Sequence, residues 1–404
     1  MTVTFVRYWG RQMTLADEVR HMRDFFGPAV ANGWRNYLVC AQPPKEERWR
    51  AELAAIGVEL VYIPRPPRNL HWDTIKSAFR LCRRLQPDII HCDNIHTSPL
   101  IGAFLARVPV RVWFKRSMQP AYETMRTPTW KDTLAATVRA SSFCATHVIS
   151  VSQAVRDELV SLGIPKSKLL VFNNPVDRAM VQLIDPTCAR APLGYVDADV
   201  VIVTTGRAAP VKGWDTLLSA FARVAPRAPQ AKLVFVGSTS EKGDSEVFAN
   251  LQRVIKMRGL EGQVRFLGNV DDVGSILSAA DIFVLPSRSE GNSNSLNEAF
   301  AVGLPCIATR VGNAPVLIQD GENGLLVERN NPQQLAEALA LLIENSDRRE
   351  QLAHRARQAM VGPTVAEYFN GLHAMYQCLV DQASGRRYDG QRTAEKFGEE
   401  GALQ

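Results

Sequence analysis

Arg207 and Lys212 flank the loop in V-I-V-T-T-G-R-A-A-P-V-K-G-W-D-T-L-L-S-A-F-A-R-V, where an apolar strand ends at Thr204 and a helix starts near Gly213. Arginine offers a rigid bidentate fork and lysine a compact point charge, and together they suit a diphosphate. The loop is not of the Walker type, because Val211 stands where that motif needs a glycine before the lysine. Alone, the two cations read more readily as a solvated surface loop than as a ligand site. A second segment, A-D-I-F-V-L-P-S-R-S-E-G-N-S-N-S-L-N-E-A-F-A-V-G-L-P-C-I-A, changes the balance. Glu290 closes the loop after its strand, and Glu298 follows with seven residues between them. Residues 296–302 read as a short helix, with Gly303 as its stop and Pro305 beyond. Backbone N–H groups of Asn294 and Ser295 at its start would form an anion site. A carboxylate on that helix can accept both hydroxyls of a ribose diol, and one in the loop can hold hydroxyls of a sugar ring.

The elements that must position these groups repeat as apolar strand, loop and amphipathic helix. Strands are expected at 2–6, 37–40, 59–63, 89–91, 110–114, 147–151 and 169–172, then at 200–204, 232–236, 264–267, 282–285 and 306–309. Helical stretches such as 17–30 and 73–85 separate them. Strands joined by helix-length connections imply an α/β protein with parallel sheets covered on both faces. The irregular run at 173–193 divides the chain, so the economical architecture is two Rossmann-like domains facing each other across a cleft. The expected divisions are an N-terminal domain at 1–178, a C-terminal domain at 179–364 and a terminal helix at 365–385. A polar, Gly-rich tail at 386–404 is expected to be disordered. No internal repeat of solenoid period is present.

At 404 residues, with 46% hydrophobic and 22% charged residues, the chain has the balance of a globular protein with a large core. The N-terminus enters a strand directly, so a secretory signal is not expected, and apolar stretches such as 200–203 are far too short to span a bilayer. Seven cysteines without a C-x-x-C pair read as reduced thiols of a cytoplasmic protein. The net charge of +6 is uneven: residues 1–175 carry 24 Lys+Arg against 14 Asp+Glu. A basic first half points to an anionic surface or acceptor. No signature of nucleic-acid binding accompanies the charge, and no nucleic-acid partner is expected.

The pattern resembles the retaining, GT-B fold glycosyltransferases of family 4, over nearly the whole chain. The likeness rests on V-T-T-G-R-A-A-P-V-K-G-W-D-T-L-L-S-A-F, L-V-F-V-G, V-R-F-L-G-N-V, L-S-A-A-D-I-F-V-L-P-S-R-S-E-G, D-G-E-N-G-L-L-V and V-I-S-V-S-Q-A-V-R-D-E-L-V-S-L-G-I-P. The resemblance implies that Arg207 and Lys212 hold the donor diphosphate, Glu298 the ribose and Glu290 the transferred sugar. Amides around Ser293, Asn294 and Ser295 would cap the distal phosphate, and Gly291 and Asn292 would also belong to the donor site. Gly268, Asn269 and Val270 would lie by the nucleobase. It also implies a nucleotide-sugar donor, UDP being favoured, a glycan or lipid-linked acceptor, and no metal or other cofactor. The terminal helix, in the family, crosses back onto the N-terminal domain.

Two departures stand out. A Gly-Gly pair is usual after the first strand, whereas this chain has Gly10 followed by Arg11. A histidine is usual after the strand at 110–114, and Lys115 stands there instead. Lys115 is expected to act as a cation near the transferred sugar or the leaving phosphate, with burial and Arg116 lowering its pKa. On the helix at 73–85, Lys76, Arg80, Arg83 and Arg84 form one stripe, while Ile75, Phe79, Cys82 and Leu85 face the other way. That stripe suits a solvated face or an anionic membrane surface. Asp197-Ala198-Asp199 and His91-Cys92-Asp93-Asn94-Ile95-His96 are weaker metal-binding patterns. A GT-B-like UDP-sugar epimerase and a non-catalytic sugar-nucleotide-binding protein are the competing readings.

Overall fold

A computed structural model describes residues 2–10, 12–13, 16–64, 70–94, 97–118, 129–175, 184–239, 244–270, 272–359 and 363–385. Arg11, His96, the expected boundary at 178/179 and the tail at 386–404 lie outside these residues. The chain forms two compact units. The first takes the described residues within Met1–Ser117, Met125–Asn174 and Val365–Gln404, and the second those within Met118–Thr124 and Pro175–Thr364.

Among the described residues the first unit holds seven strands: β1 (Thr4–Tyr8), β2 (Arg35–Cys40), β3 (Val58–Tyr62), β4 (Ile89–Asp93), β5 (Val110–Lys115), β6 (His147–Ser150) and β7 (Leu169–Val171). They pair in the order β3-β2-β1-β4-β5-β6-β7, and every pairing is parallel. The second unit holds β8 (Val200–Thr205), β9 (Ala231–Val236), β10 (Val264–Gly268), β11 (Ile282–Leu285), β12 (Cys306–Thr309) and β13 (Leu325–Val327). Their order is β10-β9-β8-β11-β12-β13, again all parallel. Parallel strands need crossover helices, which cover both faces, so central strands become apolar on both sides. In β8, Val200 and Ile202 enter one core with Trp214 and Phe221, while Val201 and Val203 enter another with Phe283 and Phe300. All twelve strands expected from sequence are present. The three-residue β13, which ends the D-G-E-N-G-L-L-V segment, adds a thirteenth.

Each sheet reverses its strand order once, between β1 and β4 in the first and between β8 and β11 in the second. Loops leaving the carboxyl ends of the strands on either side of such a reversal diverge, and the gap between them is where open α/β sheets take ligands. The second sheet sends the loops of Arg207 and Glu290 into that gap. At the first reversal stand Gly10, on the loop after β1, and Asp93, the last residue of β4.

The terminal helix Val365–Ala383 belongs to the first unit. It buries Phe369, Leu372, His373 and Tyr376. Phe5 on β1 anchors this packing, with ring centroids 5.8 Å from those of Phe25, His373 and Tyr376. Aromatic pairs at such separations stabilise beyond the area they bury.

Candidate active site

In the second unit the chain turns sharply to bring two loops together. Gly206 and Gly237 leave β8 and β9 with positive φ, and a Cβ on Gly237 would lie 1.7 Å from the Gly206 carbonyl oxygen. Only glycine permits that approach. A 3₁₀ turn at Pro210–Lys212 follows, and Gly213 adopts the left-handed conformation just before the helix Trp214–Val224. A Cβ there would strike the Pro286 carbonyl oxygen of the neighbouring loop at 2.0 Å. Arg288 then ties the loops, its amide donating to Val211 O at 2.8 Å and its guanidinium to Asp215 at 2.7 Å.

Within this frame Lys212 Nζ lies 2.7 Å from Glu290 Oε1, and Ser287 Oγ donates to the same oxygen at 2.7 Å. The pair is half-buried, which fixes both side chains without removing them from solvent. Gly312, also at positive φ, lets the Glu290 backbone pass where any Cβ would stand 2.8 Å from its carbonyl oxygen.

The following helix is Asn294–Ala301, starting two residues before the expected 296 because Ser293 caps it, its Oγ accepting from Leu296 N at 3.3 Å. The Ser293 amide donates to Asn313 Oδ1 at 2.8 Å, so of the three amides named from sequence it is already engaged within the protein. Asn292, Asn297 and Asn313 form a chain of amide hydrogen bonds, each 3.1 Å long, beneath the helix start. Glu298 sits one turn into the helix, half-buried, and Arg207 is exposed on the β8 loop. Gly291 is buried between these loops. Gly268, Asn269 and Val270 follow β10 at the sheet edge, where Gly268 O accepts from Gly237 N at 2.7 Å and Val270 packs on the core.

In the first unit Gly10 has positive φ, and its amide donates to Val39 O at 3.1 Å. Lys115 ends β5 and is 1% exposed. Burial lowers its ammonium to about 8, with Glu158 on the helix Gln153–Ser161 pulling it back up. Arg116 takes no part in that shift, contrary to the expectation. Alternate residues of a strand point to opposite faces, and Arg116 pairs with Asp93 at 2.7 Å instead.

Residues 189–359 match the family model described as glycosyl transferases group 1, and residues 19–179 match that of glycosyltransferase family 4. The lipopolysaccharide core biosynthesis glycosyltransferase LpsE of Rhizobium meliloti is 31% identical over 299 residues, covering 73% of this chain and 78% of LpsE. The chain belongs to glycosyltransferase family 4. Another similar protein is the N-acetyl-alpha-D-glucosaminyl L-malate synthase of Bacillus anthracis, 28% identical over 53% of this chain. This chain spans about half of that relative, 54% of its length. The crystal structure of Anabaena Alr3699/HepE in complex with UDP-glucose shares the fold at 21% identity, with a TM-score of 0.75 over 94% of this chain and 99% of that one. Both units of the glycosyltransferase are therefore Rossmann-like halves of a GT-B protein.

Two sequence patterns of the glycosyltransferase are absorbed by structure. Asp199 lies before β8, at the end opposite Gly206, where it accepts from Val196 N at 3.0 Å and stands 3.8 Å from Lys232. His91 and Asp93 belong to β4 itself, which runs two residues past its expected end. His91 stacks on Phe114 with centroids 5.1 Å apart and bonds Tyr376 Oη at 2.6 Å. Sequence reading missed Ser287 and Asn313, which orient Glu290 and the helix start. Their only signal is position, just beyond the ends of β11 and β12.

Proposed function

We propose that this glycosyltransferase moves a sugar from a UDP-sugar to a hydroxyl of a glycan or lipid-linked acceptor, with retention of anomeric configuration and without a metal ion. The observation that carries the reading is the Lys212–Glu290 pair at the strand-order reversal, beside the start of the helix Asn294–Ala301. A diphosphate arriving there competes for Lys212 and frees Glu290 to accept hydroxyls of the transferred sugar. Arg207, Lys212 and the helix-start amides then stabilise charge developing on the leaving diphosphate, which lowers the barrier to glycosidic cleavage. Glu298 accepts from the ribose diol. The complex of the Anabaena protein with UDP-glucose supports the choice of donor, and the name of LpsE supports a role in surface-polysaccharide assembly. Measuring UDP release from a panel of nucleotide sugars, with and without acceptor extracts, tests this reading. No release from any donor with acceptor present contradicts it.

Lys115 supplies a third cation to the reaction in this reading, acting through the field of its buried ammonium rather than by contact. Lys115→Ala is expected to lower turnover at least about tenfold, a loss of roughly 1.4 kcal/mol of transition-state stabilisation, with less change in UDP affinity. Lys115→Arg should recover more activity than Lys115→His. With the ammonium at about 8, turnover that depends on the charged form falls as pH rises through that value. A general base would give the opposite limb. Wild-type turnover by the Ala variant would remove Lys115 from the mechanism.

No helix among the described residues is long and apolar enough to cross a membrane. The helix Trp72–Leu85 exposes Lys76, Arg80, Arg83 and Arg84, and buries Ile75 and Cys82. Phe79 departs from the expectation: it is 37% exposed, as is Trp72 at 62%, so aromatic rings share the surface with the cations. We propose that this face attaches reversibly to anionic lipid, with about 1 kcal/mol from each basic residue near the surface. Sedimentation with anionic vesicles at low salt should pellet the protein, and neutral vesicles or high salt should not. Equal, negligible binding to both kinds of vesicle contradicts the attachment.

A further inference from the structure

At the carboxyl end of the first sheet two guanidinium groups share one carboxylate. Asp93 Oδ2 accepts from Arg7 Nε at 3.1 Å, and its Oδ1 accepts from Arg116 Nε at 2.7 Å. The two imidazoles beside them are neutral at pH 7: burial lowers His91 to about 4 and His21 well below the usual histidine value. Two cations and one anion leave the cluster with one uncompensated positive charge.

Arg7 cannot present that charge to a ligand in solution. It is wholly buried, with Cζ 3.7 Å from the Phe25 ring centroid, and its Nη1 has no partner. Arg116 can, because its side chain is 32% exposed. Its Nε is committed to Asp93, and among the described residues its two terminal nitrogens have no hydrogen-bond partner. The residue is held at its backbone as well. Arg116 N donates to Asn94 Oδ1 at 3.3 Å, Ser117 Oγ donates to the same oxygen at 3.1 Å, and Asn94 N donates to Phe114 O at 2.7 Å. A guanidinium anchored through Nε presents its remaining N–H groups as a fixed fork, which matches two oxygens of one oxyanion.

We infer that Arg116, with Asp93 as its positioning residue, recognises an oxyanion on the acceptor, a phosphate or a carboxylate. The inference rests on the glycosyl-transfer reading above, to which it adds the chemical class of the acceptor. Arg7 then acts as the buried counter-cation: it keeps Asp93 from cancelling the charge of Arg116.

Inorganic phosphate and succinate are the probes, titrated calorimetrically into wild type, Arg116→Gln and Arg116→Lys, each with and without saturating UDP. An anion that binds the UDP-loaded wild type should bind Arg116→Gln at least about tenfold more weakly, with Arg116→Lys recovering only part of the loss. UDP affinity should stay the same in all three proteins. A preference for phosphate assigns a phosphorylated acceptor, and a preference for succinate a carboxylated one. Equal anion binding by wild type and Arg116→Gln, or no binding of either probe to wild type, overturns the inference. Phosphate binding that needs Arg116 in a protein that does not bind UDP would overturn the donor reading and leave this one standing.

Discussion

Asp93→Ala is expected to destabilise the first unit by about 3–5 kcal/mol, the cost of leaving buried charges unpaired. Asp93 is 5% exposed and touches Arg7, Arg116 and His91, the last at 3.4 Å. Burial alone would raise its carboxyl, but Arg116 and Arg7 hold it well below the ordinary carboxylate value. A carboxyl depressed in the folded chain stabilises it above the unfolded value, near pH 4, and the contribution is lost as pH falls through the folded value. Urea denaturation at pH 7, followed by tryptophan fluorescence, should show the early transition in Asp93→Ala, with the gap to wild type narrowing in strong acid. Arg7→Met on the same background should restore part of the loss, since it removes the orphaned cation. An unchanged midpoint for Asp93→Ala would mean that the Arg7 guanidinium is solvated rather than buried.

Replacing Arg207 or Lys212 by Ala is expected to weaken UDP binding by about tenfold to a hundredfold, from roughly 1.5–3 kcal/mol per charge-assisted contact. The two losses should differ in kind. Arg207 is exposed, so its removal takes away only its contacts to the ligand. Lys212 also neutralises Glu290, and Lys212→Ala leaves that carboxylate beside the incoming diphosphate. Lys212→Ala should therefore be the worse variant, and Glu290→Gln on that background should recover some affinity. Glu298→Gln should harm UDP binding more than pyrophosphate binding, because only UDP carries the ribose. Calorimetry showing unchanged UDP affinity in both cation variants would place the diphosphate elsewhere.

Much of the fold was legible because parallel sheets buried on both faces demand runs of apolar residues, and punctuation by glycine and proline marks where they end. β13 escaped because three residues after a turn carry no periodicity. The two donor loops were legible as local segments with cations, glycines and carboxylates in order. Their direct contact was not, since Lys212 and Glu290 are 78 positions apart. The same holds for Arg7 and Asp93, separated by 86 positions and joined only because β1 pairs with β4. Lys115 and Arg116 show the converse limit: adjacency in sequence suggested electrostatic coupling, and strand alternation sent them to different partners. Phe79 follows the apolar stripe of its helix by type, yet its ring lies at the surface, and the neighbouring helix meets this one through Gly102 against Ala78 and the Ile75 carbonyl.

Hydrogen–deuterium exchange with and without UDP tests most directly the claim that donor binding is built from these two loops. UDP should slow exchange at the amides of 206–213 and 290–298, and the effect should vanish in Lys212→Ala at the same UDP concentration. Protection confined to the first unit, or none in either loop at saturating UDP, would contradict it.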